Sequence, residues 1–433
     1  MRRALRIGVA SLLAAPVGYV WGASWDGMPI DDATRLADVQ RRLAFLERAI
    51  RDDAALERAQ SLFPEGAAFV VALTGLAWGN VGRAAPAGSP ARAEAAQHLH
   101  AALALYATPV VTRPFVDTQV RRGVFWLGQR NLLLAEWAEL TPPEARDAAL
   151  VAEFHANSDA LAEAFAASPT AHLDAYPGQS WPVDNVTALT SLVLHDRTFG
   201  TRHAAAYERW HAWTRAHLDP ATGLIAGRVD AASGALLEPG RGSTTGWMLP
   251  LLVRIDPVFA REQAGAAREH LALQRLGFRM AREWPAADAR EADIDSGPIV
   301  WDAGMTATAA ALGSARALGD RATADDIVAL AAMFGVPWSA TRDGVTETHV
   351  LGGELPVADA FLAYGLSVPW PATEDASHAA RPGRVLGRWP FHLLAFAWTA
   401  LLAAWALRRT ARGPPVGGSA APPPLRRANA RQP

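Results

Sequence analysis

Residues 31–52 read DDATRLADVQRRLAFLERAIRD, with Leu36, Val39, Leu43, Leu46 and Ile50 at spacings of three and four. That spacing draws one apolar stripe along an amphipathic helix and leaves arginines and acids on the other side. The same period returns in 65–80, 91–106, 114–139, 143–167, 185–198, 201–217, 244–253, 257–279, 303–318, 322–334 and 356–364. Pro and Gly collect at the joints, as at Pro142-Pro143, Pro177-Gly178 and Pro239-Gly240. β alternation is scarce, and a short hairpin is expected only within 223–237, around Ala232-Ser233-Gly234. Helices joined alternately by short turns and longer motif-bearing loops predict an all-α toroid of helical hairpins across residues 25–372. A helical solenoid is the rival architecture, but no repeat of fixed period is present.

Composition narrows the chemistry. The chain has 433 residues, 50% hydrophobic and 19% charged, enough apolar material for a large core. Lys+Arg 41 against Asp+Glu 43 gives a net charge of -2, which speaks against a nucleic-acid partner. The absence of cysteine excludes disulfides, zinc–thiolate sites and thiol nucleophiles. There is no lysine either, so every fixed side-chain cation is arginine and Schiff-base chemistry is excluded.

The mean hydropathy of +0.04 conceals two apolar ends. Residues 1–24 open with Arg2, Arg3 and Arg6 before an apolar run, the layout of a signal peptide or an N-terminal membrane anchor. Residues 389–407, WPFHLLAFAWTALLAAWAL, carry no formal charge apart from His392. As a helix they span roughly 28 Å, close to the hydrocarbon thickness of a bilayer. Trp389 and Trp405 fall near the interfaces, and Arg408, Arg409 and Arg412 follow. A transmembrane helix is therefore expected at 389–407, after a polar linker at 373–388 and before a disordered, basic, Pro-rich tail at 408–433. The arginine clusters place both termini in the cytoplasm and the body outside it, at a bacterial-type inner membrane with the bilayer as partner.

Several loops carry residues that helix packing alone does not require. In YPGQSWPVDN (176–185), Asp184 stands at a helix start, where the dipole stabilises a carboxylate, with Tyr176, Trp181 and Asn185 around it. An N-cap role explains Asp184 equally well. In DIDSGPIVWD (293–302), Asp293, Asp295 and Asp302 accompany Trp301 ahead of an Ala-rich helix. Two carboxyls sharing a cleft would support glycoside chemistry, their separation deciding its course. Arg241, in a glycine-rich loop before Trp247, can fork onto an anion, while Ser243 suits a cap for the next helix. Glu65 begins another helix, and Trp126 and Arg130 sit one turn apart, expected to face inward. The pairs His98/His100 and His211/His217 match no metal-ligand spacing, so neither a metal nor a cofactor is expected.

Gln179-x-Trp181 with Asp184, then Asp219-x-x-Thr222-Gly223-Leu224, then Arg241-Gly242 with Trp247, resembles the six-hairpin (α/α)6 glycosidase-like superfamily. Its unsaturated uronyl hydrolases show a similar Trp–Asp pair at a helix start, an Asp–Thr–Gly–Leu loop and an Arg–Gly–Trp loop. The resemblance implies an (α/α)6-type toroid, hydration of an unsaturated uronyl residue, Asp184 as general acid/base and Trp247 against the sugar. One more residue separates Trp181 from Asp184 here, and the Arg241–Trp247 interval is longer. The Val183-Asp184-Asn185 segment is also similar to the linalool dehydratase-isomerase family, whose proposed chemistry uses cysteines that this chain lacks. The preferred reading is a membrane-anchored toroid hydrolase acting on a carbohydrate-like envelope component. Asp184, Asp295 and Asp302 would be catalytic; Tyr176, Trp181, Asn185, Arg241, Trp247, Trp301, Asp293, Glu65 and Trp126 would bind substrate. A lyase or isomerase on an apolar alcohol, and a non-catalytic envelope scaffold, are the alternatives.

Overall fold

The computed structural model describes residues 2–25, 32–371 and 387–408; nearly all of the expected linker and tail lie outside them. Sixteen α-helices are assigned among the described residues. They are α1 Arg2–Ala23, α2 Asp32–Ile50, α3 Asp53–Leu62, α4 Gly66–Ala84, α5 Pro90–Tyr106, α6 Pro109–Thr112, α7 Gly123–Leu140, α8 Ala148–Ala167, α9 Pro182–Phe199, α10 Ala204–Ala216, α11 Gly242–Ile255, α12 Pro257–His270, α13 Met305–Ala317, α14 Arg321–Gly335, α15 Pro356–Ser367 and α16 Trp389–Leu407.

Six of these close a ring. α4 packs on α7, α7 on α9, α9 on α11, α11 on α13, α13 on α15, and α15 returns to α4. Walled by neighbours, these inner helices are buried on nearly every face, and α7 and α9 carry polar side chains into that interior. Around them α2, α5, α8, α10, α12 and α14 form the outer layer, each packed on one or two inner helices. The expected α/α toroid is thus the observed fold. Close approach between inner helices depends on small residues: a Cβ on Gly128 would lie 3.0 Å from that of Ala188, and one on Gly246 2.9 Å from that of Ala310.

Because inner and outer helices alternate along the chain, all six inner helices run the same way and their N-termini gather at one end. The connections differ accordingly. At the far end they are short, down to the single residue Asp256 between α11 and α12. At the N-terminal end lie residues 107–122, 168–181, 217–241, 271–304 and 336–355, with room for recognition.

These loops hold four two-stranded antiparallel hairpins. The first, β1 Arg228–Val229 with β2 Leu236–Glu238, is the one expected. The other three are β3 Ala272–Arg275 with β4 Phe278–Ala281, β5 Ile299–Val300 with β6 Ala303–Gly304, and β7 Trp338–Arg342 with β8 Val345–His349. The helix expected over 257–279 therefore stops at His270. Leu276-Gly277 turns the chain with φ of 50° and 89°, the left-handed pair that a tight hairpin demands. The helix expected from 114 likewise begins only at Gly123, after the left-handed Arg122.

By internal packing the chain divides into Tyr19–Leu393 and a second unit of Met1–Gly18 with Leu394–Pro433. In the second unit, Arg6 lies over the Trp405 ring at 6.0 Å. Ala4–Ala23 and Trp389–Leu407 are long and apolar enough to cross a membrane. In the larger unit a satellite core joins Ala23 to Phe278, Ala329, Leu330 and Met333, with Phe391 against it. Buried Arg388 pairs with Asp326 at 2.7 Å and donates to the Ser24 carbonyl, and the Trp21 indole donates to His392 at 3.1 Å.

Candidate active site

Asp184 occupies the third residue of α9, one turn inside the ring. Trp181, not Asp184, holds the N-cap position, so Asp184 does no capping. Its position is fixed from behind by Asn185. The Asn185 Oδ1 accepts from the Leu173 amide at 2.7 Å, and its Nδ2 donates to the carbonyls of Leu173 at 3.1 Å and Trp181 at 2.9 Å. Asn185 is fully committed to holding the 168–181 loop against the helix start, which places it behind the site.

The Asp184 carboxyl has no hydrogen bond or ion pair among the described residues and is buried. Burial pushes its pKa well above the carboxylate range, and the charges of Glu65 and Asp295 push the same way. Asp184, Glu65 and Asp295, from three different segments, therefore share one electrostatic neighbourhood. Glu65 stands at the N-cap position of α4 but makes no cap bond; its carboxylate accepts from the Tyr176 hydroxyl instead. Burial raises the Glu65 pKa, the Tyr176 bond opposes that rise, and Asp295 adds to it. Asp295 keeps an exposed face, while protein crowding it on the other side raises its pKa against the pull of the Arg241 cation. Each of these two partners has something that favours its anion. Asp184 has nothing of the kind.

Arg241 acts from the interior. It is wedged over the Trp284 ring at 4.2 Å and pairs with buried Glu283 and, at 2.7 Å, with Asp293. The Asp293 carboxylate also accepts from the Ser296 amide at 2.7 Å, closing a turn that presents Asp295. Arg241 and its contacts hold the Asp293 carboxyl below the usual carboxylate range, although burial works in the other direction. Ser243, expected as a helix cap, instead donates to Glu283 at 2.6 Å. Arg241 thus orients the acidic loop with its fork already filled.

Aromatic rings fill the ring's interior beneath the acids. Phe69 of α4 meets Phe125 of α7, Trp247 of α11 and Phe361 of α15, so the contact crosses the toroid from side to side. Phe115 extends the stack to Tyr176, and Tyr176 meets Trp181 edge to face. Trp247 is mostly buried in this layer, which makes it more floor than wall.

Three expected site residues are placed elsewhere. Trp301 and Asp302 form the tip of the β5–β6 hairpin, both with positive φ (51° and 68°), and Trp301 is 69% exposed. Asp302 pairs with Arg275 at 2.6 Å and Arg282 at 3.4 Å, so its charge is answered there. Trp126 stacks on Tyr106 of the outer helix α5, and Arg130 pairs with Glu153 of α8. The expected inward orientation of Trp126 and Arg130 is reversed: the inner face of α7 is occupied by Phe125 and the outer helices take the larger polar pair. Tyr106 itself was not anticipated. Its hydroxyl is buried without a hydrogen-bond partner, and burial together with the charges of Asp184 and Glu65 raises its pKa. Nothing in the pattern of 91–106 separates Tyr106 from a core residue.

No protein-family model matches the chain, and no curated protein sequence matches it. Among solved structures, an unsaturated glucuronyl hydrolase specific for heparin aligns over 77% of this chain and 97% of its own, with 13% identity and a TM-score of 0.44. At that score the likeness carries no weight in assigning the fold, which rests on the closed ring of helix contacts.

Proposed function

We propose that the protein is a membrane-anchored enzyme that performs acid/base chemistry on a carbohydrate-like substrate, with Asp184 as the proton carrier. The observation that carries this reading is the contrast within the acid cluster. A buried carboxyl without a cation or donor keeps its proton at neutral pH and can give it to a leaving oxygen or an unsaturated carbon. Glu65, hydrogen-bonded to Tyr176, and Asp295, within the field of Arg241, each have a contact that opposes the rise burial gives their pKa, and in this reading one of them receives a proton from water. Tyr176 and Trp181 supply aromatic faces beside Asp184, the surface on which a sugar ring stacks.

The mostly aromatic floor favours a second reading, addition or removal of water on an apolar alcohol. An assay separates the two. The detergent-purified chain is offered oligosaccharides ending in a 4,5-unsaturated uronyl residue, saturated envelope glycans, and apolar tertiary alcohols. Loss of the uronate's ultraviolet absorbance, or new reducing ends, supports the carbohydrate reading. Turnover of the alcohols alone replaces it, and turnover of neither by wild-type protein sinks the enzymatic reading for these substrates.

Anchoring through both α1 and α16, with the body extracytoplasmic, is part of the same proposal. The arginines flanking the two apolar segments support the orientation. Retention of α1, as opposed to its removal as a signal peptide, is favoured because Ala23 is buried in the satellite core and Trp21 and Ser24 bond to His392 and Arg388. The chain's lack of cysteine makes the test clean. In spheroplasts, Ser61→Cys is expected to react with an impermeant maleimide, and Ser419→Cys only after lysis; the opposite pattern inverts the topology.

A further inference from the structure

At the far end of α9 from Asp184, a second cluster of polar groups is gathered from three elements. His195 and Asp196 close α9, His203 precedes α10, and His155 and Asp159 face them from α8. We propose that His195, Asp196 and His203 bind a first-row divalent cation of the zinc type. One ligand atom from each lies within 4.8 Å of the other two. The Asp196 Oδ1 is 3.3 Å from the His195 Nδ1 and 3.0 Å from the His203 Nδ1. A tetrahedral zinc with bonds of about 2.0–2.1 Å has ligand–ligand edges of roughly 3.3 Å, so the two edges that meet at the Asp196 Oδ1 are those of a coordination shell. Two imidazoles and one carboxylate suit zinc and its neighbours, whereas calcium and magnesium prefer all-oxygen sets.

The outer contacts orient all three ligands. With the cation on both Nδ1 atoms, the His203 Nε2–H donates to Asp159 at 2.9 Å and the His195 Nε2–H donates to the His155 Nδ1 at 2.8 Å. The remaining Asp196 oxygen, Oδ2, accepts from the amides of Arg202 at 3.0 Å and His203 at 2.7 Å, leaving Oδ1 for the metal. A ring nitrogen bound to the metal and its opposite N–H held by a carboxylate is the arrangement that fixes a metal-ligating histidine. Phe154 and Phe199 pack against His195 and shield the cluster, and Arg202 at Asp159 is the nearby cation. Without a metal, His203 bridges Asp196 and Asp159 through its two ring nitrogens. Three protein ligands leave the fourth position to water. Twelve residues of helix, roughly 18 Å, separate Asp196 from Asp184, so the cation ties the end of α9 to the start of α10, with α8 in the outer contacts, and takes no part in proton transfer.

Elemental analysis of the detergent-purified full chain, after equilibration with zinc and removal of the excess, is expected to find about one zinc per chain. Zinc should raise the melting temperature and a chelator reverse the rise. Cobalt in its place should give the visible absorption of a tetrahedral site. His203→Ala and Asp196→Asn should lose the bound zinc and the zinc-dependent rise, while His100→Ala, at an exposed position on α5, keeps both. Because either site variant could fail to fold, wild type provides the decisive case. Folded wild-type protein that retains no zinc and melts alike with zinc or chelator overturns the proposal.

Discussion

Glu136 and Asp184 are buried carboxyls on neighbouring inner helices, α7 and α9, and the ring treats them in opposite ways. Glu136 lies near the C-terminal end of α7 and accepts ion pairs from Arg83 at the end of α4 and Arg254 at the end of α11, with Glu139 beside them. That knot ties three inner helices across the far end of the toroid. Asp184, at the N-terminal end, has two acids for neighbours and no cation of its own. Two arginines around one carboxylate make a fastening. A carboxyl desolvated among other carboxyls gains nothing for stability from its charge, and its retained proton becomes available for chemistry. Both are buried, so burial alone does not separate them. Their neighbours do, and those of Asp184 are what support it as the proposed acid.

The contrast breaks first if Asp184→Asn leaves turnover intact. A loss of roughly 10²–10⁴-fold is expected with an unchanged circular dichroism spectrum, since the amide keeps the shape but cannot pass a proton. Glu136→Ala should behave the other way round. Leaving Arg83 and Arg254 with only the half-exposed Glu139 is expected to cost up to roughly 3–5 kcal/mol, read from denaturant midpoints, and equal stability to wild type would show that the knot is dispensable. Tyr176→Phe sharpens the division of labour inside the site. Removing the hydroxyl that favours the Glu65 anion should move the acidic limb of the pH–rate profile upward by about one to two units, and an unmoved limb would detach Glu65 from the rate.

The smallest effect is on stability against pH. Asp184 has a raised folded pKa, so the native state holds a proton that the unfolded chain releases. Its contribution is complete below the ordinary carboxylate pKa of about 4 and is lost as the pH climbs through the raised value. Asp359, buried beside Arg42 and raised to about 7, adds a similar decline in any variant. Wild type should therefore lose melting temperature more steeply than Asp184→Asn between about pH 4 and 8. Parallel curves would mean that Asp184 ionises like an exposed acid.

Much of the fold was readable because helical periodicity is local. The 389–407 segment coincides with α16, and most expected helices match within a few residues. The hairpins were harder. Asp343-Gly344 is a recognisable tight-turn pair, with φ of 50° and 80°, but Leu276-Gly277 and Trp301-Asp302 adopt the same left-handed turns without the usual residues, held by tertiary contacts such as Arg275 to Asp302. Within the site, Asp184, Asp295, Glu65 and Tyr176 were all named from sequence, and the structure brings them together. Asp302 was named on equal grounds, because an acid in a loop before a helix reads the same whether its partner is an arginine or another acid. Glu283 gave no signal, since its meaning depends on Arg241, 42 residues away in the chain.

By itself the sequence determined the helical alternation, the two apolar ends and the exclusion of thiol and lysine chemistry, because each follows from residue type and short-range spacing. The tertiary structure alone decided that the ring closes, that Arg241 is spent on Glu283 and Asp293, and that Asp184 stands among acids while Glu136 stands among arginines. Those are facts of who neighbours whom across the toroid, and a carboxyl's proton affinity is set by the charges and solvent within a few ångströms of it, wherever they come from in the chain.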